Sequence, residues 1–277
     1  MLISCALLAG VAALGRFATS ADVHPLQVVF LRLLFAVVVM LPLVGIRGLP
    51  FLRTGQIRLY LLRATVGMVA MTCWFTALAY LPIGKLTAIS FLTPLFATVA
   101  AVVVLHERIR TPRLAAMAIG FFGALVILRP GMVQVGPGVA FAIAAAIAMG
   151  FSMILIKILT GRDDPTKIVF LSAVLMTPIA AVPAVAVWTW PPLDVWPYLV
   201  ALGPVATLGH ITLTRAFAAA DASFIAGFDF ARLPFAVLYG WLAFGEAIDL
   251  WTWLGAAVMF GAGYYTSRTE SRRATAN

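Results

Sequence analysis

Residues 83–107, IGKLTAISFLTPLFATVAAVVVLHE, and residues 222–246, ASFIAGFDFARLPFAVLYGWLAFGE, decide how this chain is built. Both runs are apolar enough, and long enough, to cross a bilayer core, which takes about 20 residues of helix. Laid over one another at a shift of 139, they place Phe91 on Phe230 and Glu107 on Glu246. The same shift, followed outward, places Ala77 on Ala216, Ile109 on Ile248, Phe121 on Phe260 and Arg129 on Arg268. A shift of 140 places Gly10 on Gly150, Pro25 on Pro165 and Pro94 on Pro234. Alanine matches carry little weight in such a chain, but glutamate is rare in it, and two of its glutamates coincide. The sequence reads as a duplication.

Of the 277 residues, 63% are apolar and 10% charged, against roughly 45–50% and about 25% in soluble domains. Too few polar residues remain to cover a soluble surface, so lipid must solvate most of the chain. Cutting at charges, prolines and glycines gives ten expected spans, near 2–19, 25–46, 58–80, 83–105, 112–129, 137–159, 166–188, 195–219, 222–244 and 250–267. The first is apolar without a leading Lys or Arg, and reads as an uncleaved span rather than a signal peptide.

With 19 basic and 10 acidic residues the net charge is +9, a value that on a soluble domain would suggest nucleic acid. Position matters more than sum here, because cytoplasmic loops hold the excess of Lys and Arg. With a cytoplasmic N-terminus, Arg47, Arg53, Arg58, Arg108, Arg110, Arg113, Arg162, Lys167, Arg268, Arg272 and Arg273 fall inside and only Arg129 outside. Trp188, Trp190 and Trp196 flank one outer loop and Trp241, Trp251 and Trp253 another, as interfacial aromatics do. The expectation is a multi-pass protein of the cell inner membrane with both termini cytoplasmic, surrounded by lipid and with no nucleic-acid partner.

Each half holds an odd number of spans, so the second must enter the membrane upside down. The expected fold is all-α and integral to the membrane: ten transmembrane helices as two inverted-topology five-helix repeats around a central cavity. Residues 1–130 form the first repeat, 136–267 the second and 268–277 a basic cytoplasmic tail. This architecture is typical of secondary transporters, with a site near the midplane at the repeat interface. Enzymatic readings do poorly: His106-Glu107-Arg108 is not a zinc-binding H-E-x-x-H, no phosphate-cradling glycine loop is present, and His24, His106 and His210 lie on different spans. Cys5 and Cys73 each sit alone in an apolar run, so no disulfide, metal or other cofactor is expected.

Several local patterns accompany the duplication. His24-Pro25 is followed by Arg32, Trp74-Phe75-Thr76-Ala77-Leu78 by Leu81-Pro82, Thr93-Pro94 by Leu105-His106-Glu107-Arg108. Phe217-Ala218-Ala219-Ala220, Pro234 and Phe244-Gly245-Glu246 repeat the order in the second half. This series resembles the EamA-type repeat of the drug/metabolite transporter superfamily, over nearly the whole chain. The resemblance implies a secondary transporter of small organic solutes, often an exporter of amino acids or related metabolites, although relatives import riboflavin or S-adenosylmethionine. It also implies that spans three, four, eight and nine line the central cavity.

Charges inside spans are costly and want a partner, a wet cavity or a route to the interface. Asp229 and Arg232, three residues apart in span nine, share one helix face and would suit a zwitterionic solute, Arg232 on its carboxylate and Asp229 on its amine or carrying a proton. Ser90 and Thr93 hold the matching places in span four and would supply neutral hydrogen bonds. Pro94 and Pro234 are hinge candidates, since an internal proline removes a helical hydrogen bond. His210, with Thr207, Thr214 and Arg215 at helical spacing, is a further binding and proton-coupling candidate. Trp74 and Thr76, with Thr72, would line the cavity from span three, as the resemblance places that span.

Other polar residues read as scaffold. Arg32 is expected to be a structural ion-pair member, Arg63 and Lys157 to snorkel to the interface, and Glu107 and Glu246 to cap span ends. Small-residue faces such as Ala142, Ala146 and Gly150 suit close helix packing or a homodimer. The functional expectation is alternating-access transport of a small molecule, driven by an ion gradient or by exchange. Export of amino acids or related zwitterions comes first, import of a vitamin or cofactor second, and a channel or membrane sensor is the rival from another class.

Overall fold

A peptide group in hydrocarbon finds no water to bond to, so a spanning segment must satisfy its backbone internally, as a helix does. In a computed structural model, described over residues 1–105, 118–119, 122–123, 125–126, 136–219, 232–246, 249–255, 257–258, 261 and 264, the chain does this almost throughout. The helices are α1 (Leu2–Ser20), α2 (Pro25–Arg47), α3 (Ile57–Tyr80), α4 (Ile83–Ser90), α5 (Thr93–Leu105), α6 (Pro137–Thr160), α7 (Pro165–Ala186), α8 (Trp196–Ala219) and α9 (Arg232–Phe244). Short 3-10 turns at Leu49–Leu52 and Leu193–Val195 connect them. Among the described residues, α1, α2, α3, α6 and α7 are long and apolar enough to cross a membrane. The expected spans 112–129 and 250–267 lie largely outside the described residues.

Helix starts are set by local chemistry. His24 caps α2, its Nδ1 accepting from the Leu26 N–H, and Asp164 caps α7, its Oδ1 accepting from Thr166 and Lys167 N–H. Each is followed by a proline at the first helical position, where the missing N–H costs nothing.

Span four, expected as one helix, is interrupted. The chain tightens at Phe91-Leu92, whose N–H groups donate to Ala88 and Ile89 carbonyls at 3.2 and 3.0 Å, and resumes as α5 at Thr93. Pro94 has no N–H to give the Ser90 carbonyl, so a continuous ladder cannot form there.

The halves interlock rather than sit side by side. Helix α3 packs on α6 and α1 on α8, α5 on α6 and α1 on α9, and α2 on both α7 and α8. At the sequence shift of 139, α1 falls on α6 and α3 on α8. Outward, Val38, Leu61, Leu62, Val182, Val185, Leu208 and Leu242 are exposed, an apolar skin suited to lipid.

Two glycines let these seams close. A Cβ on Gly203 would lie 2.5 Å from the Phe35 backbone carbon and 2.7 Å from the Ala36 nitrogen, and one on Gly150 would lie 2.7 Å from the Ala97 nitrogen. Ala142, Ala146 and Gly150 are all buried within the chain, Gly150 against α5. Gly203→Ala and Gly150→Ala should each lower stability by about 1–3 kcal/mol. Gly10→Ala, whose methyl would meet Val205 and Tyr239 at 3.7 and 3.9 Å, should be nearly neutral; thermal unfolding of the three purified variants checks the order.

Candidate functional site

Arg32 lies two turns into α2, 5% exposed, and Arg63 lies in α3, 8% exposed. Arg32 sets its Nη1 against the Sδ of Met71 on α3, a weak acceptor for a full charge. The Nε of Arg32 and the Nε of Arg63 are both buried without a hydrogen-bond partner. The two guanidiniums are near enough for the charge of Arg63 to act on Arg32.

Helix α8 brings His210 to the same place. Arg32, Arg63 and Arg232, from α2, α3 and the start of α9, all exert their charge on its imidazole. Thr207 and Thr214 share its face of the helix and are buried, and the Thr214 hydroxyl donates to the His210 carbonyl at 2.7 Å. Thr207 Oγ1 and, at the start of α5, Thr93 Oγ1 are buried without partners. Four helices thus bring three cations and an imidazole to one centre, where an unpaired buried donor costs about 1–3 kcal/mol and a charged one more.

Polar clasps stand at the two ends of α3. At its C-terminal end Arg16 of α1 donates to the Leu78 carbonyl at 2.6 Å and pairs with Glu246 at 3.7 Å, while Glu246 accepts from the Ile83 N–H, at the start of α4, at 2.8 Å. Glu246 is the cap its sequence position suggested. At the N-terminal end Asp163, between α6 and α7, accepts from Lys167 at 2.6 Å, Thr54 at 2.9 Å and the Tyr60 hydroxyl at 3.1 Å. Both clasps join residues of the first half to residues of the second. Lys157 of α6 donates to the Phe217 carbonyl of α8 at 3.1 Å, the counterpart of Arg16 on Leu78 at a shift of 139 along the carbonyl partners.

The structure thus brings together two of the residues singled out from sequence, His210 and Arg232, and adds two that were set aside. Arg63 does not snorkel, and Arg32 has no carboxylate partner among the described residues. Lys157 serves a backbone carbonyl. The signal for the arginines was available: neither has an acidic residue within a helical turn, so neither had a local partner to explain its burial.

Ser90 gives its hydroxyl to the Leu86 carbonyl at 2.9 Å. Trp74 is half-buried, edge-on to Phe75, and Thr76 is half-buried in the same helix. No hydrogen bond or ion pair among the described residues joins Ser90, Trp74 or Thr76 to the arginine centre. Pro94 is half-buried beside the break and Pro234 is exposed at the start of α9. Asp229 and Glu107 lie outside the described residues.

A helical membrane protein whose interior charges gather at the meeting of its halves has the make-up of a solute carrier. The chain belongs to the EamA-like transporter family, which matches residues 1–129 and 136–268, and is a transporter rather than an enzyme. It is 31% identical to a riboflavin transporter of Brucella anthropi, covering 98% of each chain. It is 29% identical to an S-adenosylmethionine uptake transporter of Rickettsia bellii over 90% of this chain and 86% of that one, and 27% identical to a pseudopaline exporter of Pseudomonas aeruginosa over 91% and 89%. A solved crystal structure matches with a TM-score of 0.70 at 21% identity, covering 96% of this chain and 98% of the other, which establishes the fold.

Burial raises the Asp163 carboxyl, but hydrogen bonds from Lys167, Thr54 and Tyr60 and the Lys167 charge outweigh it and hold it below its ordinary value. A carboxylate depressed in the folded state stabilises above its unfolded value, about 3.9, and loses that contribution as pH falls through the folded one. Unfolding temperature should therefore drop below about pH 4. Asp163→Asn should be less stable at neutral pH and show a shallower acid limb in the same pH series.

Proposed function

We propose that this protein is a secondary active transporter that takes up a vitamin- or cofactor-sized organic solute across the cell inner membrane by alternating access. The observation that carries this reading is the 31% identity to a riboflavin transporter across 98% of both chains. The relative named for S-adenosylmethionine uptake favours the same direction. Export of amino acids or related zwitterions rested on the Asp229–Arg232 pair, of which Arg232 is described, and on the family resemblance, and it stands as the competing outcome.

The mechanism follows from the layout. Ten spans in two inverted repeats, with both termini cytoplasmic, give two halves that rock about a shared centre. The exchange of α3–α6 packing for α1–α8 packing supports that symmetry. Arg32, Arg63, His210 and Arg232 hold the solute there, Thr93 and Ser90 mark the break in span four, and the clasps at either end of α3 are positioned to close the route on one side at a time. Arg232 binds directly, and Asp229 completes its face with a counter-charge or a proton. Trp74 and Thr76 belong to the cavity wall, and Pro94 and Pro234 to the hinges.

The purified protein in liposomes should take up labelled riboflavin, riboflavin 5′-phosphate or S-adenosylmethionine with saturation, and unlabelled solute inside should accelerate entry. Arg232→Gln should reduce that exchange by roughly tenfold or more. Flux that neither saturates nor shows trans-stimulation would make the protein a channel, and saturable transport confined to amino acids would restore the export reading.

A further inference from the structure

Arg32 and Arg63 are cations more than nine-tenths buried in the membrane-spanning part of the chain, on adjacent helices, and each turns an unbonded Nε inward. Among the described residues, most carboxylates have other partners or lie between helices. Asp163 is held by Lys167, Asp164 caps α7 and meets Arg47 at 3.5 Å, and Glu246 meets Arg16. Asp22 and Asp194 lie between helices. No carboxylate among the described residues acts on Arg32 or Arg63; Arg63 feels the Tyr60 phenol one turn away, and the other Arg32 contact is a thioether.

A lone arginine can reach water by extending along its helix. Two that are instead buried on adjacent helices, with the charge of Arg63 acting on Arg32 and no carboxylate among the described residues against either, suit a negative group brought by a ligand. Guanidinium selects its shape as well as its charge, because Nε and Nη form a planar fork that matches two oxygens of a carboxylate or phosphate. His210, with Thr207 and Thr214 along one helix face, borders the same space and offers ring nitrogens to the neighbouring polar part of a solute.

We propose that Arg32 and Arg63 together bind an oxyanion group, carboxylate or phosphate, carried by the transported solute. This rests on the carrier reading above and narrows it. Within the vitamin and cofactor class the preferred solutes bear an acidic group, as riboflavin 5′-phosphate and S-adenosylmethionine do and riboflavin does not.

The test is a comparison of binding and exchange on the full-length protein in lipid nanodiscs and liposomes. Riboflavin 5′-phosphate should raise the unfolding temperature of the protein and riboflavin should do so less. Inorganic phosphate should compete weakly with the organic phosphate. Arg32→Gln and Arg63→Gln should each weaken the organic phosphate by roughly tenfold to a hundredfold and weaken riboflavin by clearly less, so that the preference for the anionic solute is lost. Should the glutamine variants fail to fold, Arg32→Lys and Arg63→Lys keep the charge without the fork and should still show a clear loss of selectivity for the anionic solute.

Equal binding of charged and neutral solutes in wild type would overturn the proposal, as would stabilisation by inorganic phosphate that no organic anion displaces. A protein indifferent to anions but destabilised by Asp229→Asn would show that the chain supplies its own counter-charge, and would overturn it too. Absence of saturable exchange for every solute, with anion-selective binding intact, would instead count against the carrier reading.

Discussion

Lipid offers the peptide group no hydrogen bond, and the arrangement of this chain follows from that constraint. It forces helices, and it makes every helix end and every interruption a place where donors and acceptors must be found. The caps at His24 and Asp164 are one answer. Basic side chains turned onto carbonyls are another: Arg16 on Leu78 and Lys157 on Phe217 satisfy the ends of the third helix of each half. Only where protein rather than lipid surrounds the backbone can the ladder be dropped, as it is at Phe91-Leu92, and that is where carriers place their sites.

The same low dielectric makes charge informative. Arg47 and Asp164, at the surface, lose little whether paired or not. Arg16 and Glu246, more enclosed, are paired and also bonded to backbone groups. Arg32 and Arg63, the most deeply buried, lack any carboxylate among the described residues. Among the described residues, pairing that thins out as burial increases is the reverse of what folding stability alone would produce.

Much of the fold was legible in the chain because lipid imposes a coarse code. Apolar run length gave α1, α2, α3, α6, α7 and α8 to within one or two residues, and Pro94 warned of the break in span four. The expectation of a repeat drew on Glu107 and Glu246, whose coincidence carries weight because charge is scarce. The candidate site was only half legible. His210 and Arg232 stood out as polar residues deep in spans, but Arg32 and Arg63 were assigned to scaffold, because a one-dimensional reading estimates depth from the nearest span end and cannot see which way a long side chain turns. Trp74 and Ser90 were read as cavity lining from their inward spans; the structure adds that Ser90 bonds within its own helix and that Trp74 stands edge-on to Phe75.

The inward turn of these basic residues also alters what the net charge means. Arg16, Arg32, Arg63 and Lys157 contribute to the +9 of the chain, yet they answer to carbonyls, a glutamate or the central site rather than to bulk solvent. The isoelectric point read from composition therefore overstates the electropositive surface that anionic headgroups or neighbouring proteins encounter. Among the described residues, Arg47, Arg53, Arg58 and Arg162 remain exposed at helix ends and loops, where a positive charge meets headgroups and solvent.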